Sequence, residues 1–259
     1  MKVLSCNIRC CGASDGKNNW IHRKALCADV IRTQGADVIG FQEMMAEQFD
    51  YLASALPEYD THAMTDEPDG RHPADCIFYR RDQYKRIAAG GYWLSETPHV
   101  AGSKSWDSAC VRLANWIRFE DRAGAGEFRI VNTHLDHISQ LAREQQAALV
   151  ADDARAYPAD YPQVLTGDMN CDSRNKAMAI LKAAGWGDTY NAIHKTEDPG
   201  LTYHAFLGPE HRSTVGKMDW IFTRGNVTAI GAEIIRTSAG GAYPSDHYFV
   251  SATLVPGKQ

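Results

Sequence analysis

Short apolar runs rich in Val, Ile and Phe recur along the chain and predict β-strands, because β-branched and aromatic side chains favour extended backbone. The predicted strands cover residues 3–8, 37–41, 76–79, 111–119, 128–135, 164–166, 203–206, 218–222, 227–235 and 249–254. Apolar residues at helical spacing predict helices over residues 23–34, 46–56, 139–156 and 175–184. Strands are in the majority and are mixed with helices, a pattern that favours two sheets packed face to face with helices outside.

Three polar stretches separate these elements and are predicted to be loops or long connections. They cover residues 15–19, 61–74 and 93–106. No internal repeat, low-complexity segment or linker-like segment divides the chain. With 259 residues, 44% of them hydrophobic, the chain can bury a large core, so we expect a single domain over residues 1–259.

Charge and cysteine content argue against several classes of protein. The formal net charge of −5 and the absence of Lys/Arg runs argue against tight binding of long duplex DNA, which usually requires a basic surface. The seven cysteines form no recurring CxxC pairs, which argues against a zinc site. No apolar stretch is long enough for a membrane span, and the segment after Met1 is too short and too polar for a secretory signal. We expect a cytoplasmic protein with reduced thiols, unless a leader has been removed, and we expect a monomer.

Several of the predicted strands begin or end at a carboxylate, amide or imidazole side chain. These residues are Asn7, Glu43, His134, Asp168 and Asn170 after apolar runs, and Asp219, Asp246 and His247 before them. Alternate residues of a strand share a face, so Asp168 and Asn170 should point to the same side. Each feature alone is typical of a turn, a helix cap or a hydrogen-bonded histidine. Together the carboxylates suit Mg²⁺ or Mn²⁺, and the amides and imidazoles can polarise phosphoryl oxygens.

The segments that contain these residues jointly resemble the endonuclease/exonuclease/phosphatase superfamily of deoxyribonuclease-like phosphoesterases. They read S-C-N-I-R, F-Q-E, N-T-H-L-D-H, L-T-G-D-M-N, M-D-W-I-F and S-D-H, and they occur in the family's order from Asn7 to His247. Three further segments, W-L-S-E-T-P, S-K-S-W-D and L-T-Y-H-A-F, resemble a bacterial subgroup of unassigned substrate. The resemblance implies an α/β fold, a four-layer α/β/β/α sandwich with two packed mixed β-sheets and the site at one edge of the paired sheets.

The resemblance also implies roles at a metal centre. Glu43 and Asp246 would hold a divalent cation, Mg²⁺ or alternatively Mn²⁺, with Asn7 close by. Asp168 would be the general base that orients and deprotonates the attacking water, and Asn170 would hold the phosphate and help to fix Asp168. These roles are chemically consistent, because water beside a phosphate is a poor nucleophile until a carboxylate takes its proton.

Two histidines would act on the phosphoryl group. The resemblance implies that Asp219 orients His247, whose imidazolium stabilises phosphoryl charge, and that His134 is a second imidazole near the leaving-group oxygen. Family members with that second histidine often carry a glutamate that can pair with it, five residues before the F-Y of the third strand. Here that position is Pro73. Asp75, two residues on, could substitute, which leaves the pairing of His134 open.

Aromatic side chains in the connections expected near the site can stack on a base, a sugar ring or a lipid head group. They are Trp93, Trp106, Tyr203, His204 and Phe206. Ordinary packing of long loops explains the tryptophans equally well. Arg112, which opens a predicted strand, is expected to reach a phosphate or to form a surface ion pair. We expect the substrate to be a phosphorylated small molecule or a phosphodiester, with nucleic acid as a close alternative.

Two alternatives from other classes remain open on the sequence. A glycoside hydrolase with two carboxylates would suit the many acids and the aromatic loops, and it would be active without metal. A binding module that has lost catalysis is the other alternative, but the intact acids, amides and imidazoles argue against it and only Pro73 favours it. The favoured reaction is therefore metal-dependent hydrolysis of a phosphate ester, by a phosphodiesterase, a phosphatase or a nuclease.

Overall fold

Two six-stranded β-sheets pack face to face in the computed structural model, which describes residues 1–67, 70 and 72–257. In chain order the strands are β1 (Lys2–Asn7), β2 (Val38–Met44), β3 (Tyr59–His62), β4 (Ala74–Arg80), β5 (Tyr84–Trp93), β6 (Leu113–Asp121), β7 (Glu127–His134), β8 (Gln163–Asp168), β9 (Gly187–Asp188), β10 (Asp219–Arg224), β11 (Val227–Ile235) and β12 (Phe249–Pro256). The helices are α1 (Trp20–Gln34), α2 (Ala46–Ala55), α3 (Gln140–Arg155), α4 (Lys176–Ala183) and α5 (Thr189–His194).

Both sheets are mixed and follow a similar plan. The first has the strand order β11-β12-β1-β2-β4-β3, and the second has the order β5-β6-β7-β8-β10-β9. β1 and β2 are parallel, as are β7 and β8, whereas the other described pairs of neighbours are antiparallel. Parallel neighbours end at the same edge of a sheet, so each sheet brings two carboxyl ends together.

Three hydrophobic layers follow from the alternation of side chains along the strands. In β1, Val3 lies in the middle layer between the sheets, whereas Leu4 packs outward with α1 and α2. In β8, Val164 lies in the middle layer, whereas Leu165 packs outward with α3 and α4. The four-layer α/β/β/α sandwich that the resemblance implied is therefore confirmed.

A buried polar cluster joins the two sheets near the site. The Asn132 amide nitrogen donates to the carbonyl oxygens of Phe41 and Cys76 in the first sheet. Its oxygen accepts bonds from Gln42 at 2.7 Å and Thr166 at 2.9 Å. A sliding of the sheets would leave these buried groups without partners, at a cost of about 1–3 kcal/mol each. The cluster therefore fixes how the strand ends of one sheet meet those of the other.

Most predicted strands and all four predicted helices are present, with shifted ends. The elements that the pattern did not predict are β3, β5, β9 and α5. β5 contains two adjacent glycines and lies at an exposed sheet edge, so its alternation is weak. The strand predicted over residues 203–206 is wrong, because Ala205 and Phe206 have positive φ angles and form a turn.

The remaining predictions about the chain concern its loops, thiols and membrane contact. Within the predicted loop 61–74, Pro68, Asp69 and Arg71 lie outside the described residues. All seven cysteines are free thiols. Among the helices in the described part of the chain, none combines the length and the hydrophobicity that crossing a membrane requires.

Candidate active site

The polar strand ends singled out in the sequence meet at one edge of the sandwich. Parallel pairing of β7 with β8 places His134 beside Asp168. Antiparallel pairing of β8 with β10 places Asp219 on the other side of Asp168. From the first sheet, Asn7 at the end of β1 reaches across, and its Nδ2 donates to Asp168 Oδ2 at 2.9 Å. Strand register therefore gathers residues that lie far apart in the sequence.

Asn7 links the carboxylates of the two sheets. Besides its bond to Asp168, its Nδ2 donates to Glu43 Oε1 at 3.0 Å. Its oxygen accepts a bond from the backbone N–H of Arg9 at 3.0 Å, which fixes the orientation of the amide. Because Asn7 is fully buried, these bonds hold both carboxylates in place.

A β-bulge turns Glu43 toward the site. The register between β2 and β4 shifts between Phe41 and Met44, and Glu43 has a φ of 59° in the left-handed region. Its Oε2 accepts a bond from Cys10 N–H at 3.1 Å. Burial alone would raise the pKa of Glu43, but His247 and these hydrogen bonds outweigh burial and lower it. Glu43 is therefore an ionised carboxylate.

Asp246, which precedes β12, brings a second carboxylate to the same cavity. Its pKa is raised by burial and by the like charge of Glu43, although His247 opposes the shift. The charge of His247 and hydrogen bonds keep Glu43 ionised, so the repulsion between the two carboxylates raises the pKa of Asp246 and not that of Glu43. Arg9 Nε lies 3.6 Å from Asp246 Oδ2 and also bonds to Asp15. Two hard oxygen donors that repel each other fit a divalent cation such as Mg²⁺.

His247 is held between two buried carboxylates. Its Nδ1 lies 2.9 Å from Asp219 Oδ2, and its Nε2 lies 3.8 Å from Asp168 Oδ2. Burial alone would lower the pKa of His247, but Asp219, Asp168 and Asp246 outweigh burial and raise it well above its ordinary value. His247 is therefore an imidazolium that donates to Asp219. Possible ligand atoms of Asp168, Asp219 and His247 lie within 4.8 Å of one another, but this proton sharing accounts for the cluster without an ion.

Asn170 fixes the tautomer of the second histidine, His134. Its Nδ2 donates to Leu135 O at 2.9 Å, which sets the amide orientation, and it contacts His134 Nε2 at 2.8 Å. Because the amide nitrogen is a donor, His134 Nε2 accepts the bond and the ring proton lies on Nδ1. Burial, and then the charge of Arg112, lower the pKa of His134 well below its ordinary value. His134 is thus a neutral imidazole, unlike His247.

The acid that the sequence left open as a partner of His134 does not contact it. Among the described residues, Asp168 is the acid with a carboxylate oxygen within 4.0 Å of the His134 ring nitrogens, at 3.3 Å from Nε2. Asp75 lies at the start of β4, buried but lining the cavity. The geometry therefore does not support its substitution for the acid missing at Pro73.

Asp168 accepts hydrogen bonds on both oxygens. Besides the Asn7 bond to Oδ2, Oδ1 accepts the backbone N–H of Asn170 at 2.8 Å. Burial and the like charge of Asp219 raise the pKa of Asp168 to about 7, against the opposing charge of His247. A carboxylate with this pKa is well matched to taking a proton near neutral pH.

The structure brings together all the residues predicted for catalysis and metal binding, around a cavity of about 600 Å³. Those that line it are Glu43, His134, Asp168, Asn170, Asp246 and His247. Asn7 and Asp219 do not line it but bond to members of that set. The cavity therefore has one wall of carboxylates, imidazoles and one amide.

Most of the predicted substrate-binding residues do not reach this cavity. Arg112 lines it, whereas Trp93, Trp106, His204 and Phe206 do not. His204 is fully buried, with its ring 4.1 Å from that of Tyr248, so its predicted contact with substrate is corrected to core packing.

The other three aromatic predictions are corrected to packing within the connections. Trp93 Nε1 donates to the Asp66 carbonyl at 3.0 Å. Phe206 packs against the guanidinium of Arg23, 5.6 Å from its ring centre. Trp106 lies at a backbone position with positive φ, in a segment tied to the start of α3. An aromatic side chain in a loop reaches a site only if the loop directs it there, and the hydrophobic pattern of the sequence does not reveal that direction.

Several residues that line the cavity were not among the polar residues selected at the ends of predicted strands. Tyr203 was expected near the site, and its ring lies 5.1 Å from that of His247. Arg9 stands two residues after Asn7 in the motif S-C-N-I-R, so its position could have been found from alternation. His137 could not, because its place depends on a loop, whereas Asp75 was named in the sequence only as a partner for His134.

Asp136 supports the wall that carries His134 and Arg112. Its Oδ2 accepts the backbone N–H groups of Ile138 and Ser139, and its Oδ1 accepts Ser108 Oγ and the Ala109 N–H. Burial alone would raise the pKa of Asp136, but these four bonds outweigh burial and lower it. Asp136 therefore ties the connection before β6 to the start of α3.

We expect Asp136→Asn to destabilise the protein by about 2–3 kcal/mol at pH 7, because charge-assisted bonds are lost. Since the folded-state pKa is lowered, this stability is present above the unfolded value of about 4 and disappears as pH falls through the folded value. Urea unfolding should show that the difference in free energy of unfolding between wild type and Asp136→Asn is smaller at pH 3 than at pH 7. Asp152→Asn, at an exposed position of α3, is the control and should change stability by less than about 0.5 kcal/mol. A difference from wild type that stayed constant with pH would contradict this role.

Comparisons with known proteins agree with the geometry. The model of the Endonuclease/Exonuclease/phosphatase family matches residues 4–247. The endonuclease/exonuclease/phosphatase from Bacteroides vulgatus is 30% identical over 98% of both chains, with a TM-score of 0.89. The mannosyl-6-phosphatase of Bacteroides thetaiotaomicron is 28% identical, over 98% of this chain and 99% of that chain, with a TM-score of 0.87. No match among curated proteins was found.

A more distant structure shares the fold alone. D. rerio TDP2, solved with a single-strand DNA product, is 18% identical over 98% of both chains, with a TM-score of 0.78. At this identity the likeness concerns the arrangement of the sheets and helices.

Proposed function

The chain belongs to the endonuclease/exonuclease/phosphatase family, and we propose that it is a divalent-metal-dependent hydrolase of phosphate esters, a phosphatase or phosphodiesterase. One observation carries the proposal. Asp168 is a buried carboxylate with a pKa near neutrality, and it lies beside the imidazolium of His247. The Asn7 amide donates hydrogen bonds to both Asp168 and Glu43. A proton acceptor, a cation site and a proton-bearing imidazole thus face one cavity.

In this proposal Glu43 and Asp246 hold the cation, and Asn7 keeps Glu43 in place. When bound, a divalent cation supplies charge that stabilises the phosphoryl oxygens. Oxygen donors of this kind suit Mg²⁺, with Mn²⁺ as an alternative. Arg9, 3.6 Å from Asp246 and bonded to Asp15, reduces the repulsion between the two ligands.

Asp168 takes the proton of the attacking water. Its Oδ1 is held by the Asn170 N–H and its Oδ2 by Asn7, so the carboxylate cannot rotate freely. Fixing the base in this way reduces the loss of entropy that the reaction requires. Asn170 contributes twice, because its side chain also holds His134 as a neutral ring.

The two histidines stabilise charge in different ways. His247, charged and anchored by Asp219, faces the developing negative charge on the phosphoryl group. His134 is neutral, and its Nδ1–H, which bonds to none of the described residues, would donate toward the leaving-group oxygen. Two donors of unequal charge therefore act on one phosphate.

We favour a small phosphate ester as the substrate. The Bacteroides thetaiotaomicron relative is a mannosyl-6-phosphatase, and the net charge of −5 argues against tight binding of long nucleic acid. A nuclease acting on DNA or RNA is the second candidate, because the fold is shared with TDP2 in a complex with single-strand DNA product.

We expect EDTA to abolish hydrolysis of phosphate esters and added Mg²⁺ to restore it. Glu43→Gln should raise the Mg²⁺ concentration for half-maximal activity by about 10–100-fold, because one charged ligand is lost. The measurement is a Mg²⁺ titration of initial rates. Glu47→Gln, an exposed position in α2, is the matched control and should behave as wild type.

The substrate panel for this experiment contains a hexose phosphate, phenyl phosphate, a diester, plasmid DNA, RNA and an aryl glycoside. Cleavage of DNA or RNA alone would favour the nuclease. Full activity on the glycoside in EDTA would favour the metal-independent glycoside hydrolase and would overturn the proposal.

A further inference from the structure

Asp75 occupies an unusual place opposite the bulge that carries Glu43. Between the register pairs Phe41 with Cys76 and Met44 with Ala74, Asp75 stands alone against two residues of β2. The side chain of Asn115 donates to the Asp75 carbonyl oxygen, which fixes the backbone there. Asp75 is therefore held in one position, at the rim between the two sheets.

The carboxyl group of Asp75 has no hydrogen-bond or ion-pair partner among the described residues. Asp75 is only 3% exposed, yet it lines the cavity. No charged nitrogen of the described residues lies within 4.0 Å of its oxygens, and none of the described hydrogen bonds ends on them. A buried carboxyl without a partner costs free energy, and a ligand group can supply the missing bond.

Arg112 faces the same cavity without touching Asp75. Burial raises the pKa of Asp75 well above its ordinary value, and the positive charge of Arg112 opposes this shift. The Nη2 of Arg112 contacts His137 Nδ1 at 3.2 Å, and its Nε is buried without a partner among the described residues. A carboxyl and a guanidinium thus line one cavity, with their charged atoms more than 4.0 Å apart.

The chemistry of this pair suits hydroxyl groups. A hydroxyl both donates and accepts, so it can bond to Asp75 and to Arg112 at once. A second phosphate fits less well, because its charge would lie beside Asp75 and Asp66, which also lines the cavity. A nucleobase also fits less well, because Tyr203 is the one Phe, Tyr or Trp side chain among the described lining residues and its ring already packs against His247.

We propose that Asp75 and Arg112 bind hydroxyl groups on the leaving alcohol, so that the substrate is a phosphorylated sugar or polyol. The inference rests on the proposed function, since it assigns the alcohol side of the same cavity. Asp75 is then a specificity residue that contacts substrate, and it does not bind the cation or orient His134.

The test compares two substrates in Asp75→Asn, Asp75→Ala and Arg112→Gln. For a hexose phosphate, we expect kcat/KM to fall about 10–100-fold, as when a buried polar group loses its bond to substrate. For phenyl phosphate, whose leaving group carries no further hydroxyl, kcat/KM of the two Asp75 variants should stay within about threefold of wild type. Arg112→Gln should lose more activity on the hexose phosphate than on phenyl phosphate, because the charge of Arg112 also acts on His134. Asp60→Asn, at an exposed position of β3, is the control. Melting temperatures establish that each variant is folded, and Asp75→Asn keeps the size of the side chain.

Each other outcome is decisive. Equal losses of kcat/KM on both substrates, or no loss on either, would overturn the inference. The proposed function would still hold if wild type hydrolysed phosphate esters. A shift of the Mg²⁺ titration in Asp75→Asn like that of Glu43→Gln would make Asp75 a metal ligand and would also overturn it. Wild-type activity on DNA or phenyl phosphate but not on any sugar or polyol phosphate would do the same. Failure of wild type with Mg²⁺ to hydrolyse any phosphate ester would instead overturn the proposed function, and this inference with it.

Discussion

Replacing Asp168 with Asn should lower kcat on the preferred phosphate ester by about 10³-fold, within the range that a positioned general base contributes. Asn has nearly the same shape, but its amide cannot accept the proton of the attacking water. KM should change little, because Asp168 acts on the water and not on the bound ester. Initial rates at saturating Mg²⁺ and saturating substrate measure the effect.

The expected loss must be separated from a change in folding or in cation binding. An Asn at position 168 keeps only one of the two bonds from Asn7 and the Asn170 N–H, so its melting temperature is measured in parallel. Asp160→Asn, exposed in the segment before β8, is the matched control and should retain full activity. If Asp168→Asn folded, responded to Mg²⁺ as wild type does and kept the wild-type rate, another group would be the base.

The convergence of the site was predictable because it follows from strand direction. Polar residues at the ends of apolar runs, such as Asn7 and His134, lie at sheet edges whenever the runs are strands. Parallel pairing of β7 with β8 and antiparallel pairing with β10 then place Asp168 between His134 and Asp219. The resemblance implied a site at one edge of the paired sheets, which periodicity alone does not give, and the structure supplied the strand pairing.

Of the residues that we place around the leaving alcohol, Arg112 was predicted to bind substrate, whereas the role of Asp75 and the directions of the aromatic side chains were not predictable. Asp75 reaches the cavity through a bulge, and a bulge is a one-residue change in register that apolar spacing does not reveal. Trp93 and Phe206 are turned away by contacts within loops, with Asp66 and with Arg23. Loop side chains are directed by such local partners, so hydrophobicity alone gave the wrong expectation for them.

The resemblance implied a protonated His247 beside Asp219, whereas the neutral state of His134 came from the structure alone. His134 and His247 each stand near Asp168, at 3.3 and 3.8 Å, yet the pKa is lowered in the first and raised in the second. Burial and the charge of Arg112 lower the pKa of His134. For His247 the nearby carboxylates, above all Asp219, outweigh burial and raise it. The two histidines therefore differ in protonation because their charged neighbours differ.

We expect Asp219→Asn to lower kcat by about 10²–10⁴-fold, because an amide facing His247 Nδ1 favours the wrong tautomer and removes the charge that keeps the ring protonated. The Asp219 side chain is fully buried and bonds through Oδ2 to His247, so its effect on the reaction should pass through that ring. ¹⁵N NMR of the imidazole should show His247 losing its second proton in the variant at pH 7.

A double-mutant cycle decides whether the two residues act as one unit. If Asp219 serves only His247, then His247→Gln and Asp219→Asn combined should cost no more than His247→Gln alone, because residues that act together are not additive. Losses that multiplied would mean that Asp219 has a second task, such as raising the pKa of Asp168, on which its like charge also acts. The register that places Asp219 beside Asp168 makes both outcomes physically possible, and the bond to His247 at 2.9 Å is why we expect the first.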